Sequence, residues 1–195
     1  MSQSLVLAAF PPELADLGDA PPRGWRVATA GVGAVEAAAT TARLVVEHAP
    51  ARVLVLGTCG AYDARLAVGD LLLVSAAIAT SLDELEGRAF RPALERVRYA
   101  ATWTLAVPLP LHDVAVPPAI TMTAEGAHRL GALAAAEHLE VTGVFAACHQ
   151  ARVPVAAALA VANRVGPSAH EEWLANHARV SRTLIEAIRP ALAAE

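Results

Sequence analysis

"AGVGAVEAAATTARLVVEHAPARVLVLG", residues 30–57, decides the fold class. Val35 to His48 is an Ala-rich helix launched from "AGVGAVE", and "ARVLVLG" returns from it as an apolar strand. With the apolar run Trp25 to Ala30 ahead of it, the stretch forms a strand, helix, strand unit, the repeating element of a sheet covered by helices. Outward from this unit, Leu5 to Phe10 is a strand ended by Pro11-Pro12, and "GDLLLVSAAIA" (69–79) is another. The segment 80–118, rich in Arg, Glu and Pro, predicts an irregular excursion with two short strands.

Beyond it, "AITMT" (119–123) predicts a strand, "AEGAHRLGALAAA" (124–136) a helix, and "EHLE" (137–140) a short strand edge. "VTGVFAACHQA" (141–151) predicts a helix and "VPVAAALAVAN" (153–163) a buried strand. The last helix runs from Ser168 to Ala193, with Ser168 as N-cap and Glu171 completing a capping box. The expected architecture is α/β: a single domain over residues 1–195, a three-layer sandwich with a central mixed sheet flanked by helices.

Composition narrows the function. Hydrophobic residues make up 55% of the 195 and charged residues 17%, yet no apolar run reaches the roughly 20 residues of a membrane span. The start "MSQSLVLAAFPPEL" lacks the basic segment and cleavage site of a secretory signal, so a cytoplasmic protein is expected. Net charge is −4 and the basic residues, all Arg, are scattered, which argues against nucleic acid as a partner. Cys59 and Cys148 are far apart in apolar settings and read as plain buried thiols. The seven histidines are dispersed, and "HEEWL" (170–174) lacks the second His of a zinc motif, so neither metal nor cofactor is expected.

One residue conflicts with its surroundings. Glu140 stands between Leu139 and Val141 at the mouth of an apolar run, where an ionised carboxylate costs several kcal/mol unless something pairs with it. Three small-residue stretches that follow strands are candidate ligand loops: "AGVGA" (30–34), "LGTCGAYD" (56–63) and "VANRVGP" (161–167). Each alone is as much a turn as a site.

Taken in order, "AAFPPEL", "AGVGAVEAA", "LGTCGAYD" with "LAVGDLLLVSAA", "EHLEV" and "LAVANRVGP" resemble the nucleoside phosphorylase and nucleosidase superfamily over nearly the whole chain. The pattern is most similar to futalosine hydrolase and methylthioadenosine/S-adenosylhomocysteine nucleosidase. The resemblance implies cleavage of the N-glycosidic bond of a purine nucleoside or derivative, inosine-like or futalosine-like. It gives Glu140 the ribose hydroxyls, with Leu139 where the family has Met, and Asn163 the base, where many members have a proton-donating Asp. Asn cannot give up a proton; it can only hydrogen-bond the leaving base. Glu13 matches the carboxylate that orients or deprotonates water. Gly33, Gly57, Gly60 and Thr58 fall at the binding loops.

Other roles compete. Glu140 can cap the helix that starts at Thr142, Asn163 can bond a turn, and Glu13 can be a first-turn charge on a short helix. Phe145 reads as core, Tyr62 or Phe90 as an aromatic wall, and Trp173 as either a pocket border or a helix anchor. Val55 and Leu56 stand where phosphorylases place an Arg for phosphate, which favours water as acceptor; Arg23 or Arg26 could supply a cation from elsewhere. The alternatives are a phosphate-dependent phosphorylase and an inactive nucleoside-binding protein. The resemblance also implies a homo-oligomer, a dimer favoured.

Overall fold

Apolar strands with no polar face must be covered on both sides, and the computed structural model, which describes residues 3–93 and 96–194, covers them with helices. The strands are β1 (Ser4–Ala8), β2 (Trp25–Thr29), β3 (Val53–Ala61), β4 (Leu71–Ala79), β5 (Arg98–Ala100), β6 (Leu111–Val116), β7 (Ala136–Glu137) and β8 (Val155–Arg164). The helices are α1 (Ala34–His48), α2 (Leu82–Leu85), α3 (Ala124–Gly131), α4 (Val141–Ala151) and α5 (Ala169–Ala194), with a 3-10 segment at Pro11–Leu17. The fold is a mixed α/β sandwich. Alternate residues of β8 point to opposite sides: Val155, Ala157, Leu159 and Val161 pack with α1 and α4, whereas Ala156, Ala158, Ala160 and Ala162 pack with α5.

All eight strands join one sheet, and five of them close a circuit: β3 pairs β8, β8 pairs β4, β4 pairs β6, β6 pairs β7, and β7 returns to β3. β8 occupies one edge of β3 along its whole length. On the other edge β1 pairs only with Val53, Leu54 and Val55, and β7 only with Gly60 and Ala61. Between these partners the edge of β3 is open at Leu56 to Cys59. That gap positions the site.

Several local expectations change. "LGTCGAYD" is no loop up to Ala61: Gly57, Thr58 and Gly60 lie inside β3. The strand expected over 153–163 is β8, which ends one residue later at Arg164, so the candidate loop 161–167 begins only after it. "AITMT" is not a strand, because the Thr121 N–H and hydroxyl both go to the Glu137 carboxylate and not to a ladder. The helix expected over 124–136 stops at Gly131, where the Arg65 guanidinium takes the carbonyls of Gly131 and Ala134 that would have continued it. At the start of α5 the carboxylate in use is that of Glu172, which accepts the Arg164 N–H, and not that of Glu171. The two short strands expected in 80–118 are β5 and β6; residues 94 and 95 of that segment lie outside the described residues.

The closest helix contact also serves the site. A Cβ on Gly143 of α4 would stand 2.0 Å from the Ala34 carbonyl oxygen at the start of α1, a distance only glycine permits. Gly143→Ala must push the two helices apart. The expected loss is about 2 kcal/mol, a drop of roughly 5 °C in thermal midpoint. An unchanged melting curve contradicts this packing.

Candidate active site

The open edge of β3 leaves the Thr58 N–H without a strand partner, and a buried N–H needs one. Glu13 supplies it. The Pro11-Pro12 pair launches the 3-10 turn after β1 and places Glu13 in its first turn, as one of the competing roles holds. Its carboxylate is no surface charge, however: Oε1 accepts from Thr58 N at 2.8 Å and Thr58 Oγ1 at 2.7 Å, and Oε2 from Ala9 N at 3.2 Å. Only 3% of the residue is exposed. Burial pushes its pKa up to about 7 against the pull of those hydrogen bonds, and the charge of Glu140 adds to the rise.

Glu140 lies at the start of α4, but its side chain does not cap that helix. Oε1 instead accepts at 2.8 Å from the N–H of Gly33, the residue preceding α1, which has a positive φ of 86°. The close approach of the two helices at Gly143 brings these groups together. One carboxylate oxygen thus has a fixed backbone donor, and the side chain reaches the pocket beside Leu139.

Asn163 reaches the same space because the β3–β8 register slips: Cys59 faces Val161 but Gly60 faces Asn163, so β8 carries an extra residue there. Its Nδ2 donates to the Arg164 carbonyl at 2.9 Å, the turn-bonding role. The side chain also lines the pocket. Gly60 leaves room for it, since a Cβ there would lie 2.8 Å from Asn163 Nδ2.

These groups border one cavity of about 450 Å³, within the usual range for small-molecule sites. Of the expected site residues, Glu13, Thr58, Gly60, Leu139, Glu140 and Asn163 line it. Gly57 lies under Glu13 in β3, and Gly33 meets the cavity through its bond to Glu140. Among the described residues, every Asp, Glu, Lys or Arg lining the cavity is a carboxylate: Glu13, Glu137 and Glu140. Arg23 and Arg26 do not line it, and Arg26 borders a separate depression with Gln3 and Glu47.

The aromatic wall is not the expected one. Phe90 is exposed, and Tyr62 is buried with its hydroxyl donating to Glu137 at 3.0 Å. The wall consists of Phe10 and Trp173, rings 5.8 Å apart. Trp173 is both border and anchor, since its indole N–H donates to Thr58 Oγ1 at 3.0 Å, so the Thr58 hydroxyl is left to donate to Glu13. Phe145 is core, as expected.

Sequence reasoning missed Glu137 and His138, which are 6% and 4% exposed and both line the cavity. Glu137 accepts from Thr121 N, Thr121 Oγ1 and Tyr62 OH, and burial raises its pKa. The argument that singled out Glu140, a polar group in an apolar run, applies equally to both neighbours.

With the geometry in place, comparison with known proteins gives the class. The Phosphorylase superfamily matches residues 25–193, and the chain belongs to that family. Solved structures with the same fold include 5'-methylthioadenosine/S-adenosylhomocysteine nucleosidase from Helicobacter pylori, at 15% identity and a TM-score of 0.87 over 100% of this chain and 99% of that one. Futalosine hydrolase of Helicobacter pylori matches at 16% identity with a TM-score of 0.86, over 100% and 99% of the two chains. The 5'-methylthioadenosine/S-adenosylhomocysteine nucleosidase from Neisseria meningitidis matches at 16% and 0.85, over 100% of both.

Thr58 holds Glu13 in its ionisable range. Thr58→Val removes the side-chain hydrogen bond that lowers the Glu13 pKa most, so the carboxyl is expected to titrate well above 7. Carboxyl-labelled glutamate followed by NMR measures this; a midpoint at or below 7 contradicts the assignment.

Proposed function

We propose that the protein cleaves the N-glycosidic bond of a purine nucleoside or derivative by hydrolysis, with Glu13 as the base for water, Glu140 on the ribose hydroxyls and Asn163 on the departing purine. The observation that carries this reading is a pair of buried carboxylates in one cavity, held by different backbone donors and set in different environments. Glu13, pushed up to about 7, can accept a proton from water near neutral pH and release it afterwards. Glu140 keeps oxygen lone pairs for two hydroxyl protons, and its negative charge stabilises a sugar gaining oxocarbenium character. Asn163, with no proton to give, steadies the base by hydrogen bonds to its acceptors, which favours a 6-oxopurine.

The cavity's charges support water over phosphate as acceptor. Three carboxylates and no lining Arg, among the described residues, make an unfavourable place for a phosphate dianion. Val32, Ile120 and Leu139 join Phe10 and Trp173 in its wall, which suits an uncharged 5′ substituent. Val32 and Ile120 are also exposed, so the rim is apolar, and a second copy of the chain covering it fits the proposed homodimer. Two free, buried thiols, Cys59 and Cys148, suit the cytoplasmic location we propose; no described helix is long and apolar enough to cross a membrane.

Base release from inosine, adenosine, methylthioadenosine, futalosine and uridine, each with and without phosphate, tests the reading. Release from a purine nucleoside at the same rate with and without phosphate is expected. Strict dependence on phosphate moves the protein to the phosphorylases, and no release with retained nucleoside binding makes it a binding protein. Glu140→Ala should abolish nucleoside binding by calorimetry; unchanged affinity removes Glu140 from the sugar site.

A further inference from the structure

We infer that Trp173 is a positioning residue for the base: its indole N–H, relayed through the Thr58 hydroxyl, fixes the hydrogen bond that Glu13 receives and helps hold the carboxylate in its ionised form. This rests on the hydrolytic reading above, in which Glu13 takes the water proton. Trp173 Nε1 donates to Thr58 Oγ1 at 3.0 Å, and Thr58 Oγ1 donates to Glu13 Oε1 at 2.7 Å. An indole N–H can only donate, so the Thr58 oxygen accepts from it and the single hydroxyl proton is left for the carboxylate. Trp173 thereby sets the direction of the whole chain. A hydroxyl that accepts one hydrogen bond donates a stronger one, and a donor aimed at a carboxylate favours its charged form. Among the donors to Glu13, the Thr58 hydroxyl lowers its pKa most, so the residue that orders this hydroxyl acts on the base.

The indole is held for this task. His170, Trp173 and His177 follow one another on α5 at spacings of three and four, which puts them on one side of the helix. The Trp173 ring lies within 12° of parallel to His170 at 6.0 Å and within 13° of parallel to His177 at 4.3 Å, and Phe10 meets it at 5.8 Å. These contacts fix the plane of the ring and with it the line of the N–H. At the far end, Glu13 Oε1 accepts from both Thr58 N and Thr58 Oγ1, which fills its two acceptor directions. Oε2 accepts only from Ala9 N, at 3.2 Å, among the described residues and keeps one direction open.

The other titratable groups about Glu13 do not duplicate this effect. The charge of Glu140 raises the Glu13 pKa, burial keeps the Cys59 thiol protonated, and burial keeps the His138 ring, which approaches Glu13 over Gly57, neutral. His170 and His177 flank the indole, and Asp16, on the same 3-10 segment as Glu13, is paired outward with Arg189.

Replacing Trp173 by 3-benzothienylalanine puts sulfur in place of the N–H and keeps the shape of the ring. The Glu13 midpoint, read by NMR of carboxyl-labelled glutamate in the ligand-free protein, should rise by about half a pH unit. Trp173→Phe should raise it equally, whatever it costs on the alkaline plateau through lost wall surface. In a Thr58→Val background either change should add nothing, because the relay is already gone. The acidic limb of kcat/KM should move with the midpoint, so that activity well below it falls roughly threefold relative to the plateau. A midpoint unmoved by the sulfur replacement, or one that rises as much again in Thr58→Val, overturns the inference and leaves Trp173 a packing anchor for α5. A limb that stays while the NMR midpoint moves shows that Glu13 is not the base, which overturns the hydrolytic reading and the inference with it.

Discussion

The described residues bury three carboxylates in one cavity without an arginine or lysine beside any of them, and the rest of the site follows from how those charges are tolerated. Backbone amides and hydroxyls do the work of cations. Glu13 takes the amides of Ala9 and Thr58, Glu140 the amide of Gly33, and Glu137 the amide of Thr121 with two hydroxyls. These donors come from the end of β1, the middle of β3, the start of α1 and the loop after β6. Only a sheet whose strands part on the edge of β3 can converge them, so the fold serves the charges as much as the core.

The arrangement has a cost in stability that grows as pH rises. Glu13 is raised from 4.5 to about 7, so the fold favours its neutral form. That contribution is whole below pH 4.5 and is lost as pH rises through about 7, the range in which the carboxylate we propose as the base becomes ionised. Function and stability thus pull the same group apart. Glu137 shifts in the same direction, but its three donors tie loop, strand and Tyr62 together and leave it a structural part of the wall.

Much of this was legible in the sequence. Alternation of apolar strands with the Ala-rich helix 35–48 fixed the class, and the single carboxylate in "HLEV" led to the site because burial of charge demands a reason. Boundaries failed where side chains overrode local propensity: Arg65 ended α3 early, and Thr121 left the ladder for Glu137. The glycines of "GTCG" read as a loop because glycine usually marks a turn. Here Gly57 and Gly60 sit inside a strand to make room for His138, Glu13 and Asn163, a packing demand invisible without the partners. His138 and Trp173 owe their roles to contacts across the fold, with Gly57 and Thr58, and no spacing in the chain announces those.

The central claim is that Glu13 is the base and that its burial sets the working range. The most direct test is the pH dependence of kcat/KM for the best purine nucleoside in phosphate-free buffer, with Glu13→Gln as reference. Because the base must be ionised, activity should fall as pH drops, with a midpoint near 7, and Glu13→Gln should lose both the activity and that limb. A parent profile flat down to pH 5, or a Glu13→Gln enzyme that keeps the limb, would contradict the account.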